Sequence, residues 1–465
     1  MSSDVSIACE YLSKYDYMNN LKHLEQIKKM LEKFSKIVIY GNTTLSNILR
    51  SMLKNKVILV LDKNYQNYSM DNMVQSPESV INIEYDCIFI SLIGREYEVT
   101  NYLMQDLSVD KEKIFTLTLI PEVAHMKTFF NYLENLEMYL SGKSNNLNIP
   151  LGGLISLFCK TQGYSSRALH NLITQYNKPY QLPDNVYGVL GNIDNNNLDD
   201  IMIQMNSNGY YIFQQKLSDE ICDRLLEFAL TTKAYLRPLT QEESATSKKD
   251  YNKRKKDIIN RMNPEAVRYD YLADQLIQDE VVQKLLADIS LIKVAQSYLG
   301  CVPKSDVLGM WWHTAYEKTE NAEAATMYHF DMDTIKWVKF FFYLTDVKKE
   351  NGAHQFIKGT HNGNIPDSLM QRKYERIAED ELEKFNLIKD EVTYEARRGT
   401  IIMEDTSGLH RGYPVQNKDR LLFQIQFSDI LLNPQDHRTK FSDVKIEKSL
   451  ENMIACYPKV FEAYL

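Results

Sequence analysis

His329 and Asp331 are separated by one residue in Tyr328-His-Phe-Asp331. In an extended segment residues i and i+2 point to the same side, so an imidazole and a carboxylate would be offered to one metal ion. The other histidine with an acid at i+2, His23 with Glu25, falls in a helical pattern, where i and i+2 do not share a face. A third donor candidate is His410, in Ser407-Gly-Leu-His-Arg-Gly412, after an apolar strand expected at 399–404. Two histidines and one carboxylate on one face of a ferrous ion leave open positions, the arrangement of non-heme Fe(II) oxygenases. Arg420 opens the strand Arg420-Leu-Leu-Phe-Gln-Ile-Gln-Phe427. Arg420, Leu422, Gln424 and Gln426 share one face of it, and Leu421, Phe423, Ile425 and Phe427 the other. A polar face on so apolar a strand implies a lined cavity, with Arg420 at its mouth placed for a bidentate pair with a ligand carboxylate. The competing readings are a hydrogen-bonded pair in the core for His329 and Asp331, and a structural ion pair for Arg420. His313, His354 and His361 read as structural or exposed, and Asp333 lies too far along from His329 for the usual pair.

The elements that must hold these residues begin at Gly209-Tyr-Tyr-Ile-Phe213, a strand followed by a helix N-capped by Ser218. Helices follow within 279–299, then strands at about 306–316, 336–346, 353–357, 399–404 and 420–428, with helical insertions at 366–389. So many strands in one region predict a barrel or jelly roll. The first part of the chain differs. An apolar stripe at spacings of three and four predicts a helix over 11–34. Strands at 36–40, 57–62, 85–92 and 113–119 then alternate with helical patterns, which predicts a parallel sheet. Residues 121–142 read as a helix, and two Asn/Pro-rich stretches at 142–150 and 177–199 mark a connector.

The ordered set His329-Phe-Asp331, Tyr343-Leu-Thr-Asp-Val347, Glu350-Asn-Gly352, Gly359-Thr-His361, His410 and Arg420 resembles the phytanoyl-CoA dioxygenase family over about residues 205–430. The resemblance implies a double-stranded β-helix (jelly-roll) fold and an Fe(II)/2-oxoglutarate-dependent dioxygenase. It implies that His329, Asp331 and His410 ligate the iron and form the catalytic centre. It also implies that Arg420 binds the far carboxylate of 2-oxoglutarate. O2 and 2-oxoglutarate would be consumed, succinate and CO2 released and a small-molecule substrate hydroxylated. A carboxylate at Asp331 leaves no slot for chloride, so halogenation is not expected. Many members carry a small hydroxyl residue two places after the distal histidine; here that place is Gly412, so another donor must substitute. Lys339 and Tyr343, on one face of strand 336–346, are the first candidates for this cofactor-binding role, with Trp312 and Tyr316 behind them.

The expected organisation is therefore a Rossmann-like α/β domain at 1–120, a mostly helical connector at 121–200 and a double-stranded β-helix domain with helical insertions at 201–465. Gly41 follows a strand, and Asp62 ends the next, about 20 residues on, as in a dinucleotide fingerprint. Only one of the three glycines is present, so a scaffold is the favoured reading there. The net charge of −8, from 54 basic and 62 acidic residues, argues against nucleic acid as partner. Six cysteines without a C-x-x-C pair fit a reducing, cytoplasmic setting. Met1 to Glu10 lacks the basic start of a leader, and no stretch reads as a membrane span. The basic run 248–256 reads as a solvated loop, with a lid that attracts an anionic substrate as the sharper alternative. The remaining alternatives are a desaturase or epimerase on the same iron, and an oxygenase fold that binds without turnover.

Overall fold

The computed structural model describes residues 3–68, 70–92, 96–116, 125–237, 254–322, 324–370, 372, 376–432 and 440–465. It divides into two compact units, residues 9–128 and residues 1–8 with 129–465.

The smaller unit carries five short strands: β1 (Ile37–Tyr40), β2 (Val57–Leu61), β3 (Val74–Gln75), β4 (Cys87–Ile90) and β5 (Ile114–Thr116). They form one parallel sheet in the order β3-β2-β1-β4-β5. Every residue of β1 and β4 is buried, as runs covered on both faces must be. After β1 the helix Thr44–Leu53 starts on a capping box, in which Thr43 and Ser46 satisfy each other's backbone N–H. The helix predicted over 11–34 spans Ser3–Leu31, so it begins earlier than its apolar stripe.

The larger unit holds the remaining strands. These are β6 (Val186–Gly188), β7 (Gly191–Ile193), β8 (Tyr210–Lys216), β9 (Ala234–Leu236), β10 (Lys256–Asp257), β11 (Arg268–Tyr271), β12 (Lys304–His313), β13 (Trp337–Tyr343), β14 (His354–Ile357), β15 (Glu391–Thr393), β16 (Thr400–Glu404), β17 (His410–Gly412) and β18 (Arg420–Ser428). Eight of them make an antiparallel sheet in the order β10-β9-β11-β12-β18-β13-β16-β8, and a second sheet has the order β15-β14-β17. Phe341, Tyr343, Ile402 and Leu422 from the large sheet share an apolar core with Phe356 of the small one. Two sheets closed over one core give the jelly roll that the strand-rich sequence predicts. Strand β12 stops at His313 instead of 316 because Thr314 turns back, its hydroxyl donating to Ala266 O at 2.7 Å.

The stretch expected as a connector packs, from residue 129 on, within the larger unit. Helices Leu151–Lys160 and Tyr164–Tyr176 bury Leu154, Leu157, Leu169 and Ile173. His170 Nδ1 lies 2.8 Å from Asp429 Oδ2, and Lys293 donates to the carbonyls of Pro183 and Asp184 at 2.7 and 2.6 Å. A segment that buries this much apolar surface and satisfies buried polar groups is part of the core, whatever its Asn and Pro content. Among the described residues no helix is long and apolar enough to cross a membrane.

Candidate metal centre

His329 and Asp331 do not sit in a strand. The residues around them form only isolated bridges, Tyr328 with Ile377 and His329 with His410. The His329–His410 bridge is double, with N–H to carbonyl distances of 3.0 and 2.8 Å, and Asp331 N–H donates to Thr406 O at 2.8 Å. Backbone pairing to the loop before β17 brings the three side chains together, in place of the strand alternation the sequence suggests.

Each imidazole is held by a backbone carbonyl two residues upstream. His329 Nδ1 lies 2.9 Å from Met327 O, and His410 Nδ1 lies 2.9 Å from Gly408 O. Donation at Nδ1 leaves the lone pair on Nε2. The two Nε2 atoms face Asp331, at 3.8 Å from Oδ1 and 3.5 Å from Oδ2. All three donor atoms lie within 4.8 Å of one another. Burial keeps both histidines below their usual range, in the neutral form a metal needs. Burial pushes the Asp331 carboxyl up, but Lys339 and the two imidazoles outweigh it and hold it below the ordinary carboxylate range.

This donor set fits a divalent iron: two neutral imidazoles and one anionic oxygen, with a cavity on the open side. The cavity measures about 320 Å³ and is lined by His329, Asp331, His410 and Arg420 among others, within the size range of small-ligand sites. Arg420 is 3% exposed, and one of its terminal nitrogens donates to the Gly352 carbonyl. Gln424 lines the same wall, so the face read from the β18 alternation is the cavity face. A β-carbon at Gly412 would stand 3.3 Å from Arg420 Nη2 and 3.8 Å from the His313 ring. Gly412 thus leaves room for those two side chains.

Four expectations need correction. Lys339 lines the cavity, but its ammonium is committed to Asp331 Oδ2 at 2.6 Å and Asp333 Oδ2 at 2.9 Å. A lysine buried between two carboxylates is held by them, so it positions a ligand rather than meeting a cosubstrate. Tyr343 is fully buried outside the cavity lining; its hydroxyl donates to Tyr394 O at 3.2 Å and accepts from His354 N at 3.1 Å, and it also meets the Arg420 guanidinium, so it braces that side chain from behind. Trp312 has the wrong parity on β12. Its neighbours Trp311 and His313 line the cavity, while Trp312 lies under Arg261, 4.8 Å from its ring. Tyr316 is half exposed and outside the lining.

His313 and His354, expected as structural or exposed, both line the cavity, and Glu404, which the sequence does not single out, stands behind His354. His354 Nε2 lies 2.9 Å from Glu404 Oε1. Burial pushes Glu404 up to about 8 and His354 down to about 3. His354, Glu404 and His410 also have donor atoms within 4.8 Å, but the first two already satisfy each other. The signal for Glu404 is present: the apolar run Thr400-Ile-Ile-Met ends on two carboxylates, Glu404 and Asp405. His313, buried and at the cavity wall, has no hydrogen-bond partner for Nε2 among the described residues. Of the basic run, residues 248–253 lie outside the described residues. Arg254 is buried 3.9 Å from Asp270, Lys255 pairs with Glu265, and Lys256 lies over the Tyr235 ring.

Residues 205–420 match the family described as phytanoyl-CoA dioxygenase (PhyH). This stretch is a phytanoyl-CoA dioxygenase family domain. Such a domain is an enzyme of the non-heme iron, 2-oxoglutarate-dependent class, with iron, 2-oxoglutarate and O2 as its cofactors. Among solved structures, the α-ketoglutarate-dependent epimerase SnoN from nogalamycin biosynthesis matches the chain at 17% identity and a TM-score of 0.36, covering 51% of this chain and 84% of that one. EctD from S. alaskensis matches at 15% identity and a TM-score of 0.36, covering 54% and 80%. EvdO2 from Micromonospora carbonacea var. aurantiaca, solved with 2-oxoglutarate, matches at 14% identity and a TM-score of 0.34, covering 52% and 92%. No curated protein matches the chain.

Proposed function

We propose that the phytanoyl-CoA dioxygenase domain hydroxylates a small molecule, with ferrous iron held by His329, Asp331 and His410 and with 2-oxoglutarate as cosubstrate. The observation that carries this reading is the convergence of two Nε2 atoms and one carboxylate, within 4.8 Å, on the cavity that Arg420 also lines. The reaction balances as 2-oxoglutarate, O2 and substrate R–H giving succinate, CO2 and R–OH. Bound iron supplies the activation of O2 coupled to decarboxylation. The chain's own residues do the rest. His329 and His410, fixed through Nδ1, present Nε2 without a rotamer search. Lys339 keeps Asp331 ionised and turned toward them. Arg420, itself 3% exposed, takes the far carboxylate of 2-oxoglutarate, where burial strengthens a charged hydrogen bond.

The test is Fe(II)-dependent conversion of 2-oxoglutarate to succinate, compared between the wild type and Arg420→Gln. Charge-assisted bonds of about 1.5–3 kcal/mol correspond to a KM for 2-oxoglutarate raised about 10–100-fold, with a smaller change in kcat. An unchanged KM removes Arg420 from cosubstrate binding. No metal-dependent succinate with any substrate leaves a protein that binds without turnover.

The smaller unit we read as a Rossmann-like scaffold. The order β3-β2-β1-β4-β5 supports the fold. Against nucleotide binding, the Asp62 carboxylate is occupied by Asn42 N–H at 2.8 Å. Saturable binding of NAD(H), S-adenosylmethionine or a nucleotide-sugar to the full chain, lost in Asp62→Ala, would reverse the scaffold reading.

A further inference from the structure

Register places four basic side chains in one row across the large sheet. Arg420 on β18 is opposite His313 on β12, and His313 is opposite Arg268 on β11. Arg237, just after β9, donates its N–H to Arg268 O at 2.9 Å. All four line the cavity. At about 4.8 Å per strand, Arg268 stands about 10 Å and Arg237 about 14 Å from Arg420. Like charges opposite one another on neighbouring strands are destabilising. Here one carboxylate stands against the outer pair: Asp270 Oδ2 lies 3.1 Å from Arg237 Nε, and its Oδ1 lies 2.6 Å from Arg268 Nε. Both contacts use Nε, so Asp270 orients the two guanidiniums, and the Trp311 ring 4.1 Å beneath Arg268 fixes its plane. Between them and Arg420, His313 is 2% exposed, with Nε2 unpartnered among the described residues. Burial and the three guanidiniums keep that ring neutral, and a neutral imidazole can donate from Nε2.

We propose that Arg237, Arg268 and His313 form an oxyanion subsite for the primary substrate, which is therefore a phosphate-bearing small molecule. This rests on the reading above, in which Arg420 is taken by 2-oxoglutarate. A carboxylate is satisfied by one guanidinium in a planar fork. Two guanidiniums from different strands and an imidazole N–H offer more donors than one carboxylate accepts, and they suit a tetrahedral dianion. The subsite shares the cavity of the metal donors, so a phosphate seated there tethers the rest of the molecule in front of His329, Asp331 and His410.

The experiment uses the full chain loaded with Mn(II), which does not turn over, and saturating 2-oxoglutarate. Inorganic phosphate, pyrophosphate and malonate are titrated by calorimetry. Phosphate or pyrophosphate is expected to bind, and Arg268→Gln to weaken it about tenfold or more, the worth of one charged hydrogen bond, while 2-oxoglutarate affinity stays within about twofold. Arg420→Gln is expected to do the reverse. His313→Gln, which breaks no ion pair, repeats the test should Arg268→Gln misfold. The subsite is overturned if phosphate competes with 2-oxoglutarate, if neither variant weakens it, or if malonate binds more tightly than both phosphates. Failure of the wild type to bind Mn(II) and 2-oxoglutarate sinks the iron reading instead. Phosphate binding to the metal-free chain, lost in Arg268→Gln, would still uphold the subsite.

Discussion

Asp331→Ala is expected to lose ferrous iron and, with it, succinate formation. Even an outer partner of a metal ligand is worth roughly 10–100-fold in affinity, so loss of the sole carboxylate of the set should exceed that. The variant also removes one of the two carboxylates that hold buried Lys339. Breaking a buried pair costs about 3–5 kcal/mol when nothing remains; with Asp333 still 2.9 Å away, the loss should be smaller. Two further variants separate metal from fold. Asp331→Asn keeps the shape and an oxygen that accepts from Lys339, but lacks the charge, so it should fold like the wild type and still bind iron weakly. Lys339→Met leaves the ligand set whole and removes the ammonium that keeps Asp331 ionised and turned. As the loss of an outer partner, it should weaken iron by about 10–100-fold with all three ligands in place. Metal titration by Mn(II) magnetic resonance and unfolding of the metal-free proteins read the two effects apart. Full metal affinity in Asp331→Asn would show that the carboxylate is no ligand.

His329, Asp331, His410 and Arg420 were legible because their chemistry is rare in their setting: charged or ligating groups where the pattern calls for apolar ones. The route to their convergence was not. The i, i+2 argument needs a strand at 329–331, and the chain supplies a single bridge to His410 instead. Cavity lining on β12 was illegible for a local reason. Trp311 and Trp312 are alike in type, and a register shift between Ser305 and Val307 breaks the alternation that would tell them apart. Lys339 was placed on the right face but given the wrong partner, because the reading set Asp331 and Asp333 aside as ligand and decoy and never as its counter-ions. The row from Arg237 to Arg420 is invisible in sequence, since only pairing between strands far apart in the chain aligns it. Helices within 121–200 are legible in the sequence, but their Asn- and Pro-rich flanks hide that Leu154, Leu157 and Ile173 are buried within the larger unit.

The metal-free protein should be most stable near pH 7 and lose stability steeply below it. His313, His329, His354, His361 and His410 are all held below their ordinary 6.5 by burial. Below that pH the unfolded chain binds a proton at each, and the fold does not. Stability therefore falls as pH falls, by about 1.4 kcal/mol per pH unit for each histidine. Glu404 acts in the opposite direction. Its folded value of about 8 stands above the ordinary 4.5, so between those values the fold holds a proton that the unfolded chain lacks. From pH 8 to about 7 stability should rise slightly as Glu404 protonates. Below 6.5 five histidines act against one glutamate, a net loss of at most about 5 kcal/mol per pH unit once the unfolded histidines are charged. That exceeds a quarter of the usual stability of a folded domain within a single unit, so acid unfolding should begin in mild acid. Iron would hold His329 and His410 neutral and deepen the dependence, because acid must then displace the metal as well. Denaturant unfolding of the metal-free chain from pH 8 to 5 measures the slope, and His313→Gln should flatten it by about one histidine's share. A stability that is flat or rising between pH 6.5 and 5.5 would mean that these rings are charged in the fold, which neither the burial of the row nor a neutral-imidazole metal site allows.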